Sequence, residues 1–165
     1  MFIVIISIAV LGVLRVMNVT TQNSADPQLR KQALSIAEAL LEEVSLARFT
    51  FCDPADEKAE TAANASECTS VQEGVGPEGG NARPFDNVND YVTAYDVAQP
   101  IAIADVNSAN IPNLANYAAT IKIAQQAFNG IPAADSLLIA VSVTYGAETI
   151  TLDGYRTRYA PNLMP

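Results

Sequence analysis

The segment RPFDNVNDYV carries four oxygen-bearing side chains, Asp86, Asn87, Asn89 and Asp90, within five residues. Carboxylate and amide oxygens at this density suit a hard cation, and Asp86, Asn89 and Asp90 are the calcium candidates of the chain. The same residues suit a turn closed by Asx side chains on the backbone, so two readings stand side by side. An EF-hand loop is excluded: its third position would be Val88, and no glycine or closing glutamate follows in register. A second cluster, LDGYRTRY, sets Asp153, Arg156 and Arg158 beside Tyr155 and Tyr159. An Asp-Gly turn or bulge with cross-strand charged and aromatic pairs accounts for it, with a ligand cluster as the alternative.

Other chemistries lack their residues. The chain has no histidine, which removes the commonest general base, the commonest transition-metal ligand and every Ser-His-Asp or Cys-His arrangement. It also has no GxSxG, no glycine-rich phosphate loop and no carboxylate pair set apart from the general acid background. No enzymatic activity and no cofactor are expected. Nine Lys/Arg against eighteen Asp/Glu give a net charge of -9, which argues against a nucleic-acid partner. The excess is local: Cys52 to Asp90 holds nine acids against Lys58 and Arg83.

Cys52 and Cys68 flank the fifteen-residue stretch DPADEKAETAANASE. Two cysteines without histidine cannot complete a zinc site, and a redox pair needs CxxC-like proximity. The spacing predicts a structural disulfide formed in an oxidising compartment and pinning the acidic loop. Asn18-Val-Thr20 and Asn64-Ala-Ser66 match the glycosylation acceptor pattern, which recurs by chance in short strings.

The elements that position these groups follow from hydrophobic periodicity. From Pro27 to about Phe49, Leu29, Ala33, Ile36, Ala37, Leu40, Val44 and Ala47 recur at three- and four-residue steps, which predicts a one-sided helix. Asp26 and Pro27 read as its N-cap and first residue, with a break or kink in the chain before it. Phe51 to Pro84 reads as a long irregular connection ending in turn chemistry. Beyond it the period becomes two. YVTAYDV and PIAIADV are short strand candidates, and YAATIKIAQQAF sets Ile121 and Ile123 opposite Thr120 and Lys122. In LLIAVSVTYGAETITLDGYRTRY, Ile139, Val141, Val143 and Tyr145 share a face, and a turn through Gly146 leads to a strand resuming at Ile150 and Leu152 and extending toward Tyr159. Helix first and strands later predict an α+β fold with the helix laid on an antiparallel sheet.

The first stretch, MFIVIISIAVLGVLRVM, has no charge before Arg15. Met1 to Leu14 would cover about 21 Å as a helix, short of the ~30 Å hydrocarbon core. Extension to Val19 reaches about 28 Å but includes Arg15 and Asn18. A signal peptide is disfavoured by the missing basic n-region and small-x-small cleavage site.

These features together resemble the type IV pilin and type II secretion pseudopilin family. The segments NVTTQNSADPQLRKQALSIAEALLEEV, RPFDNVNDY and ITLDGYRTRYAP are similar in particular to minor pilins of the MSHA (mannose-sensitive haemagglutinin) biogenesis type. The resemblance implies a pilin-like fold: a long N-terminal helix, broken near Pro27, packed on a C-terminal antiparallel sheet. It divides the chain into an anchor and filament helix, 1–24, and a periplasmic head, 25–165. Phe2, Ile3, Val4, Ile5, Ile6, Ile8, Val10, Leu11, Val13 and Leu14 would contact membrane lipid or neighbouring filament helices. The family's basic leader, cleavage glycine and early glutamate match no residue here, so the resemblance implies a chain starting within the mature apolar helix. The implied partners are other pilin or pseudopilin subunits and the inner-membrane assembly machinery. The implied location is the bacterial inner membrane, single pass, and then the pilus. The implied role is that of a minor structural subunit that primes assembly or aids adhesion. A minor pseudopilin of a type II secretion system and a signal-anchored periplasmic module binding calcium are the alternatives.

Overall fold

The computed structural model describes residues 2–78, 82–105 and 109–158; at helix positions 2–5, 9, 16 and 18–26 it describes the backbone alone. Helix α1 spans Phe2–Leu46. Four strands follow: β1 (Gln99–Ile101), β2 (Tyr117–Gln125), β3 (Ser136–Tyr145) and β4 (Glu148–Thr157). They form one antiparallel sheet in the order β1-β2-β3-β4. The fold is therefore α+β, as the periodicity predicts.

Among the described side chains, the helix buries one face in its C-terminal part. Ala33, Ile36, Ala37, Leu40 and Val44 join the inner faces of β2 (Tyr117, Ala119, Ile121, Ile123) and β3 (Leu137, Ile139, Val141, Val143, Tyr145) in one core. Ala33 and Ala37 keep the helix surface flat, and Leu41 presses on β4 at Gly154, where a Cβ would lie 3.1 Å from Leu41 Cδ1. That closeness gives the glycine a packing role. Tyr117 Oη donates to Gln32 Oε1 at 2.9 Å and fastens the start of β2 to the helix.

Three local expectations are corrected. The backbone of α1 runs through Pro27 without a break. A helical proline removes one N–H donor and crowds one carbonyl, at a cost of about 3 kcal/mol, which a helix anchored by packing further along can carry. Asp26 is therefore inside the helix rather than capping it, and Leu29 is exposed rather than in the core. YVTAYDV is no strand: Tyr91 closes a 3-10 turn, Val88–Tyr91, and β1, Gln99–Ile101, takes in only Pro100 and Ile101 of the candidate PIAIADV. Asp153-Gly154 makes no turn, since both residues pair within the β3–β4 ladder. The hairpin instead turns at Gly146, whose φ of 57° favours glycine, as the alternation predicts. Tyr159 lies outside the described residues.

The outer face of the sheet is polar. Ser142 and Thr144 of β3 pair with Thr151 and Thr149 of β4 through hydroxyl hydrogen bonds of 2.8 and 2.9 Å. Among the described residues, no helix is long and apolar enough to cross a membrane.

Candidate functional site

The acidic side chains converge in the connection between α1 and β1, which is held by covalent and polar pins. Cys52 and Cys68 form the expected disulfide, with Cα atoms 5.5 Å apart. Its loop folds around Asp56, 6% exposed. The Asp56 carboxylate accepts from the backbone N–H groups of Lys58 (2.8 Å), Ser70 (2.6 Å), Thr69 (3.2 Å) and Val71 (3.2 Å), and from Ser70 Oγ (2.9 Å). The N–H groups of Lys58 and Ser70 do most to hold this carboxyl far below its ordinary range. Asp56 thereby returns the chain to residue 71, where Val71 O accepts from Asp53 N–H and Phe51 O accepts from Glu73 N–H. This pairing sets Glu73 beside Asp53.

The segment around Asp86 reaches the same place from the other side. The backbone of Asn87 lies parallel to Arg48 just past α1, with Arg48 N–H donating to Asp86 O and Val88 N–H to Arg48 O. Asn87 caps the 3-10 turn, and Asp90 Oδ2 accepts from Asn87 N–H at 3.2 Å. Asx capping is thus real here. Asn89 is buried with its Oδ1 accepting from Tyr95 Oη at 2.7 Å, so that oxygen is already engaged. Gly76 N–H donates to Asn89 O and draws the segment leading to Glu78 against the turn.

Five carboxylates meet as a result. Glu78, Asp86 and Asp90 offer oxygens within 4.8 Å of one another, and Asp53, Glu73 and Glu78 form a second such triad that shares Glu78. Asp90 is 2% exposed. Its Oδ1, and both carboxylate oxygens of Glu73, are buried without a hydrogen-bond partner. Burial, then the negative charges of Asp90, Glu78, Asp53 and Asp86, push the Glu73 carboxyl up to about 8. Burial, the charge of Glu78 and then a hydrogen bond shared with the Asp86 carboxyl, together with its charge, push Asp90 up to about 7 against the Asn87 N–H bond.

The Glu43 carboxylate, by contrast, is matched. Arg83 grips Glu43 of α1 through Nε and Nη2, both at 2.6 Å, and donates to the Ala102 carbonyl. Tyr91 Oη adds a 2.9 Å bond to Glu43. Burial alone would raise the Glu43 carboxyl, but these hydrogen bonds and the Arg83 charge bring it below its usual value. The grip ties the loop to the helix.

The second sequence cluster is dispersed. Tyr155 stacks on Phe128 at 4.2 Å, an aromatic contact of the expected kind, while Asp153 is exposed. Arg158 lies 3.8 Å from the ring centres of both Phe49 and Phe51 and pairs with Asp135 at 3.4 Å. Alternation along β4 separates these side chains, so they form no common pocket. Asn64 is occupied as the cap of a short 3-10 turn, accepting from Ser66 N–H. Asn18, Phe2, Ile3, Val4 and Ile5 have side chains outside the described residues.

Of the calcium candidates, Asp86 and Asp90 come together. Asp53, Glu73 and Glu78 were not legible as their companions, because up to 37 positions separate them and only the local acid excess marked the region. These features define the class of protein as an α+β domain with one antiparallel sheet, a disulfide-pinned connection and a buried carboxylate cluster. No protein-family model, curated protein or solved structure matches the chain.

Proposed function

We propose that the chain is a minor pilin-like structural subunit, held at the bacterial inner membrane with residues 25–165 in the periplasm, and assembled into an MSHA-like filament. The observation that carries this reading is the contrast along α1. Ile8, Leu11 and Met17 are 67%, 66% and 62% exposed, with Ile6, Val10, Val13 and Leu14 also uncovered, whereas Ala33 to Val44 bury one face on the sheet. An apolar run that its own chain leaves bare calls for cover from elsewhere.

The described apolar stretch from Ile6 to Leu14 covers about 13 Å of helix, less than the ~30 Å hydrocarbon core. The proposal therefore places it against the helices of neighbouring subunits as well as lipid. The disulfide is consistent with a periplasmic head. The role is assembly, without catalysis.

The test is Leu11→Asp in a host that carries the assembly machinery, with recovery of the chain measured in membranes and in sheared surface filaments. A carboxylate in an apolar helix environment should lower both by at least about tenfold while the head keeps its unfolding midpoint. Unchanged recovery in both fractions would sink the reading. Incorporation into membranes without sheared filaments would favour a secretion pseudopilin.

A further inference from the structure

We propose that the carboxylates of Asp53, Glu73, Glu78, Asp86 and Asp90 form a calcium site, centred on Glu78, that fastens three segments of the α1–β1 connection to one another. The cluster alone would say little, since acidic groups often gather on surfaces. The second observation is the lack of donors at its interior. Asp90 is 2% exposed and its Oδ1 is buried with no hydrogen-bond partner; both carboxylate oxygens of Glu73 are buried in the same condition. The Arg158 charge reaches Glu73 without donating a hydrogen bond to it, and burying carboxylate oxygens without a donor is costly. Elsewhere the same connection supplies Asp56 with five donated hydrogen bonds. A backbone that satisfies one buried carboxylate so fully leaves these oxygens facing other oxygens, the arrangement a cation completes.

The donor chemistry selects the ion. All five groups are hard oxygen ligands, both cysteines are tied in the disulfide and the chain has no histidine, so soft and borderline metals have no preferred ligand. Each triad holds its oxygens within 4.8 Å of one another, close enough for one hard cation to contact them together. Magnesium demands shorter bonds in near-octahedral geometry and dehydrates reluctantly. The ligands come from the segment after Cys52, the return after Cys68 and the Asn87 turn, so a bound ion would join what the disulfide leaves apart. This inference does not rest on the filament reading.

The experiment is a calcium titration of the full chain, stripped with chelator and held in mild detergent at 150 mM NaCl, followed by unfolding midpoint and by terbium luminescence excited through tyrosine. Expected are a midpoint rise of at least about 5 °C at saturating calcium, terbium emission displaced by calcium, and loss of both in Glu78→Gln and in Glu73→Gln with Asp90→Asn. The double variant keeps side-chain volume and relieves repulsion, so it should fold in chelator. No midpoint shift at millimolar calcium, an equal shift with magnesium, or an unchanged response in both variants would overturn the proposal.

Discussion

The helix-and-sheet layer and the α1–β1 connection are stabilised by different balances of apolar and polar contacts. In the layer, Ile139, Val141 and Val143 of β3 meet Ile36, Leu40 and Val44 of α1, and apolar burial does the work without a polar anchor at the centre. In the connection Phe49, Val88, Tyr91 and Val92 reach the same core, but the acidic loop between them is held by a disulfide, by the donors around Asp56, by Arg83 on Glu43 and by the Asn87 cap. Apolar burial is non-directional and tolerates exchange of similar volumes. Polar pins are directional, and each fails when one partner is removed. The connection should therefore respond to single polar changes, pH and ions, while the layer responds to volume.

The largest expected effect tests the layer. Ile139→Ala at a fully buried position should lower unfolding stability by about 3–4 kcal/mol in denaturant titration; a loss under 1 kcal/mol would mean that this core is loosely packed. Replacing Cys52 and Cys68 together by Ala should cost about 3 kcal/mol, from the restored freedom of a loop of this size. If the two regions differ as described, protease cleavage between Asp53 and Glu67 should rise while amide exchange in β3 stays slow at the depth of local opening. Equal acceleration in both would erase the distinction.

A smaller effect comes with pH. Glu73 and Asp90 have folded-state values pushed up to about 8 and about 7, from 4.5 and 3.8. An acid raised on folding contributes stability that is complete below its unfolded value and lost as pH rises through the folded one. Chelator-treated protein should therefore gain stability as pH falls from about 8 to about 5, on the order of 1–2 kcal/mol per group after solvent screening. Asp56 and Glu43 are shifted the other way, so their contributions hold throughout this window and are lost only at lower pH. Glu73→Gln should flatten the slope in a series of melts, and a slope of opposite sign would contradict the burial of these oxygens.

The smallest effect probes the seam between helix and sheet. In Gly154→Ala the new methyl meets Leu41 Cδ1 at 3.1 Å, and a flexible leucine tip should yield at a cost under about 1 kcal/mol. Leu41→Val in the same chain should recover part of that loss; no coupling between the two changes would mean that the contact is slack.

The sheet was legible because two-residue alternation reports burial directly: Ile121 and Ile123, or Ile139, Val141 and Val143, declare an inner face whatever their partners. The buried face of α1 was legible for the same reason, with Leu29 the exception because the core ends before its turn. Pro27 and Asp153-Gly154 misled because they are local signals overruled by neighbours, the first by helix on both sides, the second by a strand partner. The disulfide followed from counting. The carboxylate cluster did not, since periodicity says nothing of irregular backbone.

By itself, then, the order of residues determined the fold class, the buried faces, the hairpin at Gly146 and the pairing of the only two cysteines, all of which depend on local pattern or on a lack of alternatives. Only the tertiary structure decided which acids share a site and which buried oxygens lack donors. Those facts depend on where Asp53, Glu73, Glu78, Asp86 and Asp90 arrive after the chain has turned around Cys52–Cys68 and Asp56, and no short-range pattern encodes the meeting of distant loops.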